Sequence, residues 1–515
     1  MTVPMRFRQY IQVKAGEECD PETVCPAAGY ILPEECEPPD PEIFCPANGY
    51  IPDEPASSSW IHVLTIYTNS PNTTTFDPSI GSSSIDDNDF AWLIGGNEYN
   101  VRSLSLTLDG TLQEVQLWVK DTVAEITSID FRSDHIVGVI DLTHPIFNLI
   151  NTIRTQGNSE LTGIYFPQDQ DAKLNDLWLY DCNLHGVLDL SMFSRLDTSM
   201  IISVYNNPNL HGIVFAPSII EGTVQYLNLD RCDLLGTLDL SMFDTFRNDS
   251  SGFNINLYNN SHLTGVKFAS TITGRLKNLW LYNCDLRYDV DLSMFKDLTT
   301  YASIQLYNNP NMKTLTFAST LTTVGSVSTL QLRDCDNLLS LDISMFTSFT
   351  DSGNFSVARN IAMTSLILPT MTAGALRYFY INDSGLSGTI NLSGITTGSS
   401  GSMWYLNGCD DLTVYNLGSG KSGSFNYLRG YGTSPFFDLT AWIAPIITST
   451  TEVKFSNCGW SQAQVDQFLA DADSLTAGLG YKCKIYLTGN SIPTAAGLIS
   501  KANLEAKGMY IYVDA

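Results

Sequence analysis

LNDLWLYDCNLHGVLDLSMF, residues 174–193, is written four times in this chain with small changes. Residues 224–243 read VQYLNLDRCDLLGTLDLSMF, residues 276–295 read LKNLWLYNCDLRYDVDLSMF, and residues 327–346 read VSTLQLRDCDNLLSLDISMF. Their cysteines, Cys182, Cys232, Cys284 and Cys335, recur every 50 to 52 residues. A fixed internal period marks a stacked-repeat architecture, in which each unit buries its apolar face only against its neighbours. Between the copies runs a second wording: ISVYNNPNLHGIVF (202–215), INLYNNSHLTGVKF (255–268) and IQLYNNPNMKTLTF (304–317). Aligned on apolar-x-apolar-x-x-[Cys/Asn], it places Asn207, Asn260 and Asn309 midway between successive cysteines. The unit is therefore about 24 to 28 residues, and the longer period is a pair of alternating units.

Each unit resembles the leucine-rich repeat, L-x-x-L-x-L-x-x-[N/C]-x-L; in the first copy the match is Leu174, Leu177, Leu179, Cys182 and Leu184. The physics suits these residue types. An L-x-L segment alternates in and out, as a short strand must. That puts Leu177, Leu179, Leu227, Leu229, Leu279, Leu281, Leu330 and Leu332 inside a parallel-stranded solenoid. The Asn or Cys then turns inward, where Asn satisfies backbone groups of the turn and Cys acts as a small hydrophobe. Weaker copies place Asp134, Ser384 and Cys458 at the same station, so the resemblance covers roughly residues 100 to 460 and is strongest from 174 to 346. The segments that follow each SMF lack a helical period, so turns, short 3₁₀ pieces or second strands are expected there. The expected fold class is mainly β: a leucine-rich-repeat-like solenoid over residues 121–460 with a parallel sheet and short or no convex helices. An extended Pro/Cys-rich arm is expected over 1–55, a β cap over 56–120 and an α/β C-terminal cap over 461–515.

The two ends read differently from the middle. Residues 17–33, EECDPETVCPAAGYILP, are echoed by residues 34–53, EECEPPDPEIFCPANGYIPD. Proline and acidic residues dominate, which favours an extended track, and such a segment has too little apolar surface to build a core. Cys19, Cys25, Cys36 and Cys45 lie in it. Paired disulfides, free thiols against a partner and a metal site all remain open, although the spacings contain no C-x₂-C pair. WIHVLTIYT, VRSLSLTL and EVQLWV read as strands of the N-terminal cap. At the other end, Ser461 with Gln464 forms a capping-box signature ahead of Val465, Phe468 and Leu469 at helical spacing. A strand-like KIYL, a helix-like TAAGLISKANLEAKG closed by Gly508 and a final YIYV follow. This tail, through Asn457, Cys458, Val465, Asp466, Leu487, Gly489, residues 493–498, Lys501 and Gly508, is similar to that of phage and phage-derived leucine-rich-repeat-like proteins. The resemblance implies a virion or bacterial-surface setting and names no ligand.

Composition narrows the function classes. Only 16% of residues are charged, against a typical ~25%, and the net charge is −27. Such a surface disfavours nucleic acid and anionic membranes as partners. No apolar run approaches the ~20 residues of a spanning helix, so no membrane insertion is expected. MTVPMRFRQYIQVKAG has no apolar stretch of the kind a secretory signal carries. The expectation is a cytosolic protein or one released without a cleaved leader, as a virion component would be by lysis. His185, His211 and His262 fall in repeat turns, and His62, His135 and His144 have no companion at metal-ligand spacing. No G-x-S-x-G, H-E-x-x-H or Walker loop is present, and SIDDND at 84–89 lacks EF-hand spacing. No cofactor, no metal and no catalytic residue are therefore assigned.

The outward positions of the strands carry the functional signal. With Leu177 and Leu179 inward, Trp178 and Tyr180 point outward. The same rule turns out Tyr205, Tyr226, Tyr258, Trp280, Tyr282, Tyr307, Tyr378 and Tyr380, interleaved with Asp176, Asn228, Asp230, Asn254, Asn256, Asn278 and Gln305. Flat rings beside amides and carboxylates suit glycan or protein binding; a cross-strand aromatic ladder that only supports itself would look the same. The leading expectation is a non-enzymatic virion surface protein of a phage, a fibre, decoration or tail-associated module. Residues 1–55 would dock to other virion proteins, and the solenoid would meet a cell-surface glycan or protein on the particle exterior. A bacterial cell-surface adhesin is the alternative, and a polysaccharide-degrading enzyme with a carboxylate pair in one groove is the third class.

Overall fold

The computed structural model describes residues 60–71, 74–82, 86–168, 173–321, 326–398, 401–421, 423–432, 434–442, 447–475 and 483–515. The expected N-terminal arm, with Cys19, Cys25, Cys36 and Cys45, lies outside them. The rest is a parallel β-solenoid of about 14 turns. One ladder runs its length. It starts at Ile126–Asp130 and Thr152–Arg154, continues through Leu174–Trp178, Leu196–Ser203, Val224–Asn228, Phe253–Asn256, Leu276–Trp280 and Leu298–Gln305, and ends at Lys484–Tyr486 and Tyr510–Tyr512. Neighbouring strands pair in register, so Ile129, Ile153, Leu177, Ile202, Leu227, Ile255, Leu279, Ile304 and Leu330 form one column. Phe355, Phe379, Trp404, Leu428, Val453, Ile485 and Ile511 extend it. Every member is buried, and each contributes roughly 1.5–3 kcal/mol by area. All eight leucines expected inside are there.

The chain leaves each strand through a residue in the left-handed region: Asp181 (φ 54°), Asn206 (57°), Arg231 (52°), Asn259 (58°), Asn283 (54°) and Asn308 (58°). Asn and Asp tolerate that conformation better than other non-glycine residues. The next side chain points inward. Asn207 Nδ2 donates to Val204 O (2.6 Å) in its own coil and to Leu179 O (2.9 Å) in the coil before, while its Oδ1 accepts from Leu184 N (3.1 Å). Asn260 and Asn309 repeat this three-way bridge. Cysteine makes a thinner version: Cys182 Sγ donates to Thr155 O at 3.2 Å and Cys232 Sγ to Val204 O at 3.5 Å. The seven described cysteines, these four with Cys409, Cys458 and Cys483, are buried and free. Burial pushes the thiols of Cys232, Cys284 and Cys335 up to about 12, which keeps them protonated and inert.

The doubled period has its cause on the second face. There Gly186–Leu190 pairs only with Leu210–Phe215, Gly236–Leu240 with Leu263–Phe268, and Tyr288–Leu292 with Met312–Phe317. Each small sheet joins a Cys coil to the Asn coil that follows it, so coils associate two by two. The repeated DLSMF writes the corner after the first strand of each pair. Asp189, Asp239 and Asp291 accept from the backbone N of Ser191, Ser241 and Ser293 at 2.8–2.9 Å, an Asx turn. The phenylalanine then plugs the core edge-on: Phe193 on Phe166, Phe243 on Phe215 and Phe295 on Phe268, at 5.0–5.2 Å. No α-helix occupies this side in the described coils before residue 461; short 3₁₀ turns stand at Pro145–Phe147 and Leu439–Ala441.

The N-terminal edge of the ladder is paired, which removes an exposed strand edge, and the last C-terminal coils carry two helices. At the N-terminal end Ser79–Ser82 pairs antiparallel with Ile126–Asp130. Beside it, Trp60–Thr68 pairs with Gln113–Lys120 and with Ile136–Asp141. VRSLSLTL, expected as a strand, is not one: it makes only isolated bridges at Ser103 and Leu106. The sheet position beside Gln113–Lys120 belongs to Phe90–Ile94, which turns at Gly95 and Gly96 into Asn97–Tyr99. At the C-terminal end α1 (Gln462–Leu475) opens with the reciprocal capping box, Ser461 N donating to Gln464 Oε1 at 2.8 Å. Thr494 caps α2 (Ala495–Ala506), and Gly508 (φ 92°) closes it. Asp466 of α1 accepts from Thr494 N and Oγ1 at 2.9 and 2.6 Å, tying the helices together. No described helix is long and apolar enough to cross a membrane.

Candidate binding face

The inward column of the main ladder fixes what lies outside. Two outward columns flank it, and a third runs along the strand ends. The third holds Tyr180, Tyr205, Asp230, Tyr258, Tyr282, Tyr307 and Arg333. Tyr180 and Tyr205 stack at 4.5 Å with planes 7° apart. Tyr258 stacks on Tyr282 and Tyr282 on Tyr307, each at 4.5 Å. Asp230 would break the series, but Arg231 fills the rung: its guanidinium lies 5.4 Å from the Tyr205 ring and 6.0 Å from the Tyr258 ring. Arg333 ends the row 4.3 Å from Tyr307. The result is a continuous stack of flat groups across seven coils, whose faces cover one another and whose rims meet solvent. The cation–π rungs each contribute on the order of 0.5–1 kcal/mol. Burial and neighbouring negative charge, chiefly Asp230, push the Tyr258 phenol up to about 12, and Tyr282 is raised further.

Tyr378 and Tyr380 belong to a second group farther along. Tyr380 lies 5.0 Å from Tyr405, Arg377 covers Tyr378 at 5.4 Å, and Arg429 sits between Tyr405 and Tyr427. The outward placement of the nine expected residues, and of Tyr226, holds, but all are half-buried. Four of the polar residues expected between them on the open face are instead buried: Asn228, Asp230, Asn254 and Asn256. The arginine rungs were not among the expected residues. Their signal is present in the sequence, since Arg231 and Arg333 occupy the strand-end positions where neighbouring units have Asn and Tyr.

A different arrangement holds in the column that contains Trp178. The register runs Trp178, Ser203, Asn228, Asn256, Trp280. Three short side chains between two indoles leave an open hollow of about 500 Å³. At ~4.8 Å per strand the tryptophans stand ~19 Å apart along the ladder. Arg154 packs 4.7 Å from the Trp178 ring, and Trp280 Nε1 donates to Ser303 Oγ at 3.2 Å, so both indoles are braced. Tyr226 borders the hollow and accepts from Asn256 Nδ2 at 2.9 Å. Asp230 is 1% exposed, with Arg231 Nε at 3.0 Å from Oδ2; burial raises its pKa. The side-chain oxygens of Asn228 and Asn256 find no donor among the described residues.

His211 and His262 flank Asp233 at 3.6 and 2.5 Å on an exposed edge, and no group of three or more candidate ligands occurs among the described residues. Compared with family models, with curated proteins and with solved structures, the chain matches none.

Proposed function

We propose that this chain is a non-enzymatic surface protein of a phage particle, docked by residues 1–55 and presenting its solenoid to a glycan or protein of the host surface. The observation that carries the binding part is the aromatic face: braced rings and amides run along one side of a rigid ladder, a geometry suited to extended partners. The tail resemblance supports the phage setting, and the acidic, proline-rich sequence of residues 1–55 supports docking, because such a segment gains order mainly from a partner. The leucine-rich-repeat likeness describes how the units are written and leaves the ligand unassigned.

The test compares the full chain with a truncation starting at residue 56. Both should keep the same melting transition. Mass spectrometry of purified particles should find the full chain and not the truncation. Fluorescently labelled full chain should also decorate host cells. A truncation that joins the particle overturns the docking role, and a full chain absent from particles overturns the phage assignment.

A further inference from the structure

We propose that the hollow between Trp178 and Trp280 is a binding site for uncharged saccharides. The inference deepens the binding reading above by naming one place on the face and one ligand class. It starts from what the tyrosine column cannot do. Those rings cover each other at 4.5 Å, so a ligand meets their rims. The indoles border an open hollow instead, because Ser203, Asn228 and Asn256 are too short to stack on them. A ring face beside a hollow suits the C–H face of a sugar ring, and the amides between the indoles suit its hydroxyls.

The polar groups point to the same class. Asn228 is 9% exposed and Asn256 2% exposed, and each carries an oxygen without a donor. Buried groups in that state are costly, and in native structures they call for an explanation. Both amides line the hollow, where a ligand hydroxyl or acetamido N–H that reaches them supplies the missing donor. The charge at the site is internally matched, Asp230 against Arg231 at 3.0 Å. A strongly anionic or cationic ligand therefore gains little there, and a neutral one is favoured. The ~19 Å between the indoles provides for a short run of sugar units rather than a single one.

The experiment uses the full chain on an array of neutral oligosaccharides (hexose, deoxyhexose and N-acetylhexosamine types), with uronate- and sialate-bearing oligosaccharides, polyamines and extended peptides as comparison probes. Affinity for the best probe is then followed by tryptophan fluorescence. The expected result is binding of a neutral oligosaccharide, weakened about tenfold or more by Trp178→Ala or Trp280→Ala, weakened by the near-isosteric Asn228→Leu, and largely restored by Trp280→Tyr. Melting curves of each variant separate lost binding from lost fold. Binding of charged or peptide probes alone, binding of nothing, or neutral binding that survives both tryptophan substitutions overturns the proposal. Adhesion to host cells without neutral-saccharide binding defeats this inference alone. Absence of the chain from particles defeats the phage reading and leaves the saccharide result standing.

Discussion

Replacing Asn260 by alanine tests the account of how the coils are joined. Asn260 is fully buried and serves three backbone groups. Its Nδ2 donates to Leu257 O at 2.7 Å and to Leu229 O at 3.0 Å, and its Oδ1 accepts from Leu234 N at 3.3 Å. The Leu257 carbonyl also receives the Cys284 thiol at 3.4 Å, so alanine leaves it partly served. Leu229 O and Leu234 N have no other hydrogen-bond partner among the described residues, and an unsatisfied buried group costs ~1–3 kcal/mol. Asn260→Ala should therefore cost about 3–5 kcal/mol, with the small cavity included. Asn260→Cys writes the residue of the alternate coils into this station. Its thiol serves one carbonyl, so the loss should be about half as large. Because a solenoid opens locally rather than as one unit, the measurement should be native-state hydrogen exchange across residues 224–290, supported by urea denaturation. Protection of the Leu234 amide should collapse in both variants, and protection beyond residue 400 should change little. A loss below ~1 kcal/mol in Asn260→Ala, or equal losses in the two variants, would refute the bridging role.

Two further outcomes follow from buried titrating groups. Asp134 stands where other coils place Asn158, Asn207 and Asn260. It is buried, one oxygen accepts from Asp77 N at 2.7 Å, and the other has no donor. Burial raises its pKa from 3.8 to about 8. A folded-state pKa above the unfolded one gives stability that is full below about pH 4 and is lost as pH rises towards 8. Asp134→Asn should flatten that slope in thermal melts and raise stability at pH 7; an unchanged slope counts against it. Separately, Cys182, Cys232, Cys284, Cys335, Cys409, Cys458 and Cys483 are buried thiols, so iodoacetamide at pH 8 should leave all seven unmodified in the native protein and label them in denaturant. Peptide mapping that finds any of the seven alkylated natively, or bridged to one another, contradicts the buried column.

What the sequence disclosed follows from how local each signal is. The inward leucines, the Cys/Asn station and the capping box at Ser461 are each decided within one turn of chain, and each reads directly. The 50-residue period was plain as a spacing, but its cause was not. It depends on Gly186–Leu190 pairing with the next coil and not with the one after, a choice made some 25 residues away. The N-terminal cap misled for a related reason. VRSLSLTL alternates as a half-buried strand should, yet the sheet position beside Gln113–Lys120 is taken by FAWLI. That segment is buried throughout, Phe90 and Trp92 facing the main core and Ala91 and Leu93 a small cluster with Trp118. A strand covered on both faces does not alternate, so the periodic signal favoured the wrong segment.

The same distinction separates the aromatic residues that hold the coils from those that face a partner. Strand alternation places all of them outward, and no single unit tells a rung from a wall. What decides is the residue one coil away in the same column. Where Tyr meets Tyr or Arg, as from Tyr180 through Arg333, ring faces are consumed in stacking. Where Trp meets Ser or Asn, as between Trp178 and Trp280, the next rung is missing and the column opens into a hollow. A binding site on a ladder of this kind is a gap in its stacking, and gaps become visible only when the sequence is read down the columns, one coil at a time, rather than along the chain.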